Sequence, residues 1–260
     1  AEYEKTLKQF EYFPQPKIID VKLNIDLFPS KRAYEVAGYY VVTNTSQEPI
    51  REVHLQKLIE SNVELTDVAF DRSMKVNNTY SDYHYTIYEL SESLAPGDTL
   101  RMNFRQTLNP KGFEADNSVS DVVYNGTFFD NAELPSFGYQ KKYELQDEGD
   151  RTSFGLTPRF HKAKRNDMRE LVNARSGSDS DGTTLEAIIS TEKPQTALTS
   201  GDLVATWNKK DRNYFHYKTN QPIIHFYPFL SAHFHLAILW RKWWIWRFIT
   251  TKVMNTTSQE

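Results

Sequence analysis

Seven histidines, His54, His84, His161, His216, His225, His233 and His235, are the residues best suited to chemistry by type. Imidazole becomes a metal ligand when the chain gathers three or more donors around one point. None of the seven stands in HExxH, the helical spacing that puts two rings and a glutamate base on one face. His233-x-His235 would set two rings on one side of a strand, a two-donor fragment that ordinary sheet histidines far outnumber. The chain has no Cys, which removes disulfides, thiolate zinc sites and cysteine nucleophiles together. The GxSxG elbow, the P-loop and the GxGxxG fingerprint are also absent. Carboxylates are plentiful but scattered, and DEGD at 147–150 reads as a solvated turn rather than an acid/base pair. No catalytic residue, metal ligand or cofactor site is expected within these residues.

The most distinctive stretch is VVYNGTFFDNAELPSFGYQ, Val122 to Gln140. Its Asn-Gly turn is followed by two aromatics that look exposed, Phe128 and Phe129, and then by a Pro-containing loop. The alternative is a plain hairpin held by apolar side chains. Sequons stand at Asn44, Asn77 and Asn125 and carry no weight without a secretory setting.

The elements that would position such a loop are strands. Val21, Leu23, Ile25 and Leu27 alternate with Asp20, Lys22, Asn24 and Asp26, the period of a strand buried on one face. YEVAGYYVVTNTS follows as a second strand, with Gly38 as a bulge or a point of close approach. IREVHLQKLI gives a third. HYTIYEL and TLRMNFRQTL read as a strand pair about a Pro96-Gly97 turn. TLEAIIST, DLVATWNK, NYFHYKTNQP and IIHFYPFLSA supply more strands. Residues 1–16 form a charged, helical lead-in broken by Pro14 and Pro16, and a short helix is expected near 162–175. Aromatics at 14% of 260 residues suit half-buried pleats. The fold class is therefore all-β, a large multi-sheet sandwich. A net charge of −3 argues against a general nucleic-acid binder, and no run of eighteen apolar residues is present to span a bilayer. The chain is expected to be soluble.

Three segments, taken in order, resemble a known family. They are EYEKTLKQFEYFPQPKIIDVKLNIDLFPSKRAYEVAGYYVVTN, then DVVYNGTFFDNAELPSFGYQKKYEL, then YFHYKTNQPIIHFYPFLSA. Together they are similar to the aminopeptidase N-like zinc metallopeptidases that follow an ABC-type permease in some bacterial chains, over roughly residues 1–236. The resemblance implies a β saddle at 17–236 that packs on a zinc domain and walls one side of its peptide cleft. HExxH and GxMEN are not in this sequence, so zinc would belong to the parent protein and its C-terminal peptidase domain. The implied cleft loop is Asn125, Gly126, Thr127, Phe128 and Phe129. Relatives offer a Gln or Glu there for the substrate's free amine, and none of these five residues is one. Either Glu133 serves instead, or this branch binds substrate differently. The same resemblance implies a membrane-tethered parent, in the bacterial inner membrane with this domain outside the bilayer and residues 1–16 leading from the permease. The alternative from another class is a cell-surface β-sandwich module binding peptide or glycan.

Residues 237–260 break the pattern. Four of the five tryptophans, Trp240, Trp243, Trp244 and Trp246, crowd into LAILWRKWWIWRF, a composition seen in membrane-surface segments. Codon arithmetic offers another account. Moving the frame back one nucleotide forces Val from Trp243-Trp244, Asp from Trp244-Ile245 and Glu from Met254-Asn255. These fit an alternating strand of the kind the family carries there. The expectation is an out-of-frame tail that replaces a strand and makes little packing contact.

Overall fold

A computed structural model describes residues 1–110, 121–159, 166, 180–241 and 244–251, from 235 onward as backbone alone. After α1 (Glu2–Leu7) the alternation read in the sequence becomes β1 (Lys17–Phe28), with Val21, Leu23, Ile25 and Leu27 buried. A short 3-10 turn at Pro29–Lys31 reverses the chain into β2 (Ala33–Thr43), antiparallel to β1. Gly38 lies opposite Leu23, and a Cβ there would meet the Lys22 carbonyl oxygen at 2.0 Å. Glycine at this position is thus a requirement of close strand approach.

The chain continues through β3 (Ile50–Gln56), β4 (Val63–Phe70), β5 (Met74–Asn77), β6 (Tyr85–Leu94) and β7 (Thr99–Leu108). The expected pairing of the last two is corrected here. Gly97 adopts φ 84° and the Asp98 amide donates to the Ala95 carbonyl at 3.0 Å, so the turn exists. Yet β6 pairs with β3 and β5, whereas β7 pairs with β2 and β4. Buried Asn44 explains the switch. Its Nδ2 donates to the Leu94 carbonyl at 2.8 Å, its amide donates to the Asp98 carbonyl, and its carbonyl accepts from the Gly97 amide. The turn is thereby held at the end of β2, and the chain leaves one sheet at Leu94 to enter another at Thr99.

Next come β8 (Thr127–Asp130), β9 (Ser136–Phe137), α2 (Glu148–Ser153), β10 (Thr184–Glu192), β11 (Thr196–Leu198), β12 (Asp202–Lys209), β13 (Arg212–Lys218) and β14 (Pro228–Ala232). They are followed by β15 (Phe234–Arg241) and β16 (Trp244–Thr251). Among the described residues the sheets run β12-β13-β10-β1-β2-β7-β4, β5-β6-β3-β9, β11-β14-β8 and β15-β16. The β1–β10 pairing is parallel. One core joins the seven-stranded sheet (Leu23, Ile25, Tyr40, Phe104, Ile189) to the four-stranded sheet (Val53, Leu55, Phe137) and the three-stranded sheet (Phe129, Phe229, Ala197). Burial of each large side chain contributes about 1.5–3 kcal/mol, so packing between stacked sheets drives this fold. The architecture is all-β, as the periodicity indicates.

The lead-in is partly helical and docks on the sheets. Tyr3 and Leu7 are buried with Tyr85, Ile87 and Tyr139 in a second apolar cluster. From α2, Arg151 grips Glu4 with two hydrogen bonds of 2.7 and 2.9 Å, both side chains buried. Burial raises the Glu4 carboxyl, but the bonds and charge of Arg151 outweigh it and hold the group below the usual range. DEGD is exposed, and within it Asp147 accepts from the Asp150 amide at 2.8 Å and caps α2. The helix expected near 162–175 lies outside the described residues apart from residue 166. No helix among the described residues is long and apolar enough to cross a membrane.

Candidate functional site

The loop singled out in the sequence forms one margin of the three-stranded sheet. Gly126 turns the chain at φ 113° and donates its amide to the Ser231 carbonyl at 3.3 Å, while Asn125 Oδ1 accepts from the His233 amide at 2.9 Å. Thr127 Oγ1 donates back to the Val123 carbonyl at 3.0 Å, closing the loop on itself. These three residues therefore shape backbone, and β8 runs antiparallel to β14 from there.

Strand alternation then separates the two phenylalanines. Phe128 points outward at 48% exposure, while Phe129 is 1% exposed. Phe129 stacks on Tyr34 with ring centres 4.8 Å apart and lies 5.2 Å from Phe229. The sequence reading of two exposed aromatics is corrected on this point: Phe129 belongs to the core, because successive residues of a strand face opposite ways.

Beyond β8, Asp130 accepts from the Ala132 amide at 2.6 Å and caps a 3-10 turn, Asn131–Glu133. Asn131 anchors the facing loop, donating to the His225 carbonyl at 3.1 Å and accepting from the Tyr227 amide at 3.0 Å. At the end of the turn sits Glu133, half-buried. Its carbonyl accepts from Gln106 Nε2 at 2.9 Å, and the same nitrogen donates to Tyr34 Oη at 2.8 Å. Burial, then the neighbouring Asp121 carboxylate, pushes the Glu133 carboxyl up to about 8, with Asp130 adding to the rise and Lys142 opposing it. Its Oε2 and the Gln106 Oε1 are buried without a hydrogen-bond partner.

This arrangement is a carboxyl whose ionisation is held above the usual carboxylate range beside a second acidic side chain, Asp121, with an aromatic ring on the same short segment. Such a pair can accept a cationic or hydrogen-bonding group. Among the described residues no three His, Cys, Asp or Glu side chains are placed to hold a metal ion. His233 packs edge-on against Tyr124 with centres 5.9 Å apart, and the side chain of His235 is outside the described set. Asp121, Gln106 and Tyr34 were not singled out in the sequence. Tyr34 and Gln106 lie on strands far from 133 in sequence, so only the folded arrangement relates them to Glu133.

Comparisons with known proteins bear on the fold. No protein-family model matches the sequence, and no curated protein does. Solved structures do. An M1 zinc metallopeptidase from Deinococcus radiodurans aligns at TM-score 0.53 and 10% identity, over 86% of this chain and 44% of that one. Its mutant bound to a Tyr-Ser-Ala substrate gives 0.52 over the same shares. A two-domain M1 zinc metallopeptidase mutant bound to L-tryptophan gives 0.50 at 11% identity, over 90% and 47%. The likeness is one of fold. The chain spans less than half the length of these structures.

Proposed function

We propose that this chain is the non-catalytic N-terminal β domain of a zinc aminopeptidase-like protein, packing on a peptidase domain and lining its substrate cleft. The observation that carries the reading is the fold likeness to M1 zinc metallopeptidases, which extends over 86–90% of this chain but less than half of theirs. In this reading the metal and its chemistry belong to the remainder of the parent. The part of the loop offered to the cleft is Phe128 with Glu133. Phe128 would give an apolar face to substrate side chains, and Glu133, beside Asp121, a polar one. Asn125, Gly126 and Thr127 would shape the loop, and Phe129 would support it from the core.

Two finer parts of the reading rest on the sequence resemblance. The first is a parent tethered to a membrane through a permease, with the chain entering the domain at α1. The second is that residues 237–260 are out of frame. Among the described residues β15 and β16 pair only with each other, which supports the latter, since a displaced strand has no designed neighbour.

The deciding experiment is to resequence the gene from the codon for Pro222 to well past the codon for Glu260. The expected result is one missing or extra base, with a corrected frame that runs through a strand into HExxH. A frame that stands as given, with no HExxH in any downstream frame, would overturn the reading.

A further inference from the structure

The seven-stranded sheet ends in β12, and all eight of its residues are exposed. One side of the strand is paired with β13, and among the described residues no strand pairs with the other. Leu203, Val204 and Trp207 are 52%, 57% and 39% exposed there. The opposite end of the sheet is guarded. In β4 the pairing breaks between Thr66 and Ala69, Asp67 takes φ 53°, and Arg105 holds its carboxylate at 3.4 Å, devices that make an edge a poor template. At β12 the only interruption is the bulge between Leu203 and Ala205, which leaves Ala205 to Lys209 regular.

The pairing with β13 assigns the faces. Asp202, Ala205, Trp207 and Lys209 stand opposite Lys218, His216, Tyr214 and Arg212, so they share one face. Leu203, Thr206 and Asn208 share the other, and Val204 is the extra residue of the bulge. Two antiparallel strands related by a two-fold axis keep their faces, so a strand pairing with its own copy must set same-face residues opposite each other. With Val204 set aside, β12 meets this condition about Thr206. Thr206 opposes itself, Ala205 opposes Trp207, Leu203 opposes Asn208, and Asp202 opposes Lys209.

The outermost pair joins opposite charges. Within one copy Lys209 stands opposite Arg212 across the ladder, and among the described residues it has no carboxylate within ion-pair distance. Arg212 lies 3.7 Å from Asp26. At the other end Asp202 faces Lys218, which reaches Glu186 at 3.4 Å, and Asp202 accepts from Asn220 Nδ2 at 3.2 Å. A second copy would bring its Asp202 to Lys209 and its Lys209 to Asp202. We infer that two copies of this chain associate by antiparallel pairing of their β12 edges about Thr206, which extends the large sheet across a two-fold axis. The pairing goes beyond the proposed function and does not depend on it. Its contact area is that of one strand and its flanking side chains, which places the dimer among the small, weak interfaces.

The test is sedimentation equilibrium on the full chain, the Asp202→Lys and Lys209→Glu variants, and the double variant carrying both. Each single change makes both symmetry-related pairs like-charged, so Kd should rise roughly tenfold or more. The double variant exchanges the charges and should return Kd to within about threefold of the parent. Circular dichroism of the single variants separates lost pairing from lost folding, since both positions are exposed. A chain that stays monomeric at all concentrations tested, or dimers indifferent to the single changes, would overturn the inference. Neither outcome touches the peptidase reading, which stands or falls on the downstream gene.

Discussion

Glu133 is a carboxyl whose surroundings, rather than its sequence neighbours, set its chemistry. An unfolded glutamate releases its proton near 4.5, whereas burial and Asp121 delay release in the folded protein to about 8. Between those values rising pH ionises the unfolded chain first, so folding stability is full at low pH, falls across the window, and is flat above it. Glu133→Gln keeps the site neutral at every pH and should remove that fall. Urea midpoints at about pH 5 and pH 9 should show the variant gaining roughly 1–3 kcal/mol on the parent at the higher pH, a discounted use of about 1.4 kcal/mol per pKa unit. Identical pH profiles would mean that Glu133 ionises freely and that the Asp121 contact has no energetic weight. The sequence pointed to Glu133 only through resemblance, because nothing local in AELP marks a carboxyl as buried. Phe128 and Phe129 show the opposite limit. Their adjacency on a strand decides that one faces in, but choosing which requires knowing where the core lies.

At the scale of elements, legibility followed the locality of the pattern. β1 was readable because Val21, Leu23, Ile25 and Leu27 alternate cleanly, and it pairs with its sequence neighbour. β4 and β5 went unread although Val63, Leu65, Val68, Phe70 and Met74 pack half-buried against the core, because the alternation in β4 changes register between Thr66 and Ala69 and β5 is only four residues long. Pro96-Gly97 correctly announced a reversal, but the partners of β6 and β7 depend on Asn44, some fifty residues upstream, and a turn motif carries no such information. The parallel union of β1 with β10, Asp20 opposite Thr184, is equally non-local. Gly38 tests the β1–β2 contact directly. Its missing Cβ would fall 2.0 Å from the Lys22 carbonyl oxygen and 3.0 Å from Leu23 Cα, both backbone atoms of the facing strand. Gly38→Ala must therefore push the ladder apart in the middle of the largest sheet, at a cost of roughly 2–4 kcal/mol. A denaturant midpoint shift of less than about 0.5 kcal/mol would show that β1 and β2 yield there at little cost.

Across the whole molecule, the described residues form interlocked sheets and one hairpin that pairs with none of their strands. The seven-, four- and three-stranded sheets share a core, and α1 is bound to them through Tyr3, Leu7 and the Glu4–Arg151 pair. The hairpin of β15 and β16 instead pairs residue by residue with itself, Phe234 opposite Thr251 through Arg241 opposite Trp244, and joins none of the other sheets. A two-stranded hairpin is by itself marginal in water. An apolar, cationic sequence in that setting adds adhesiveness more than stability. Deleting residues 237–260 should therefore leave the urea midpoint of the domain within about 0.5 kcal/mol of the parent while reducing light scattering at high concentration. A loss well above 1 kcal/mol would mean that the tail packs on the domain as a working element. The frameshift reading would then lose its physical support, because an out-of-frame segment has no selected complementarity to the sheets before it. If the midpoint holds, the domain's stability resides in the strands that precede residue 237, and the tail's tryptophans are foreign to the fold they follow.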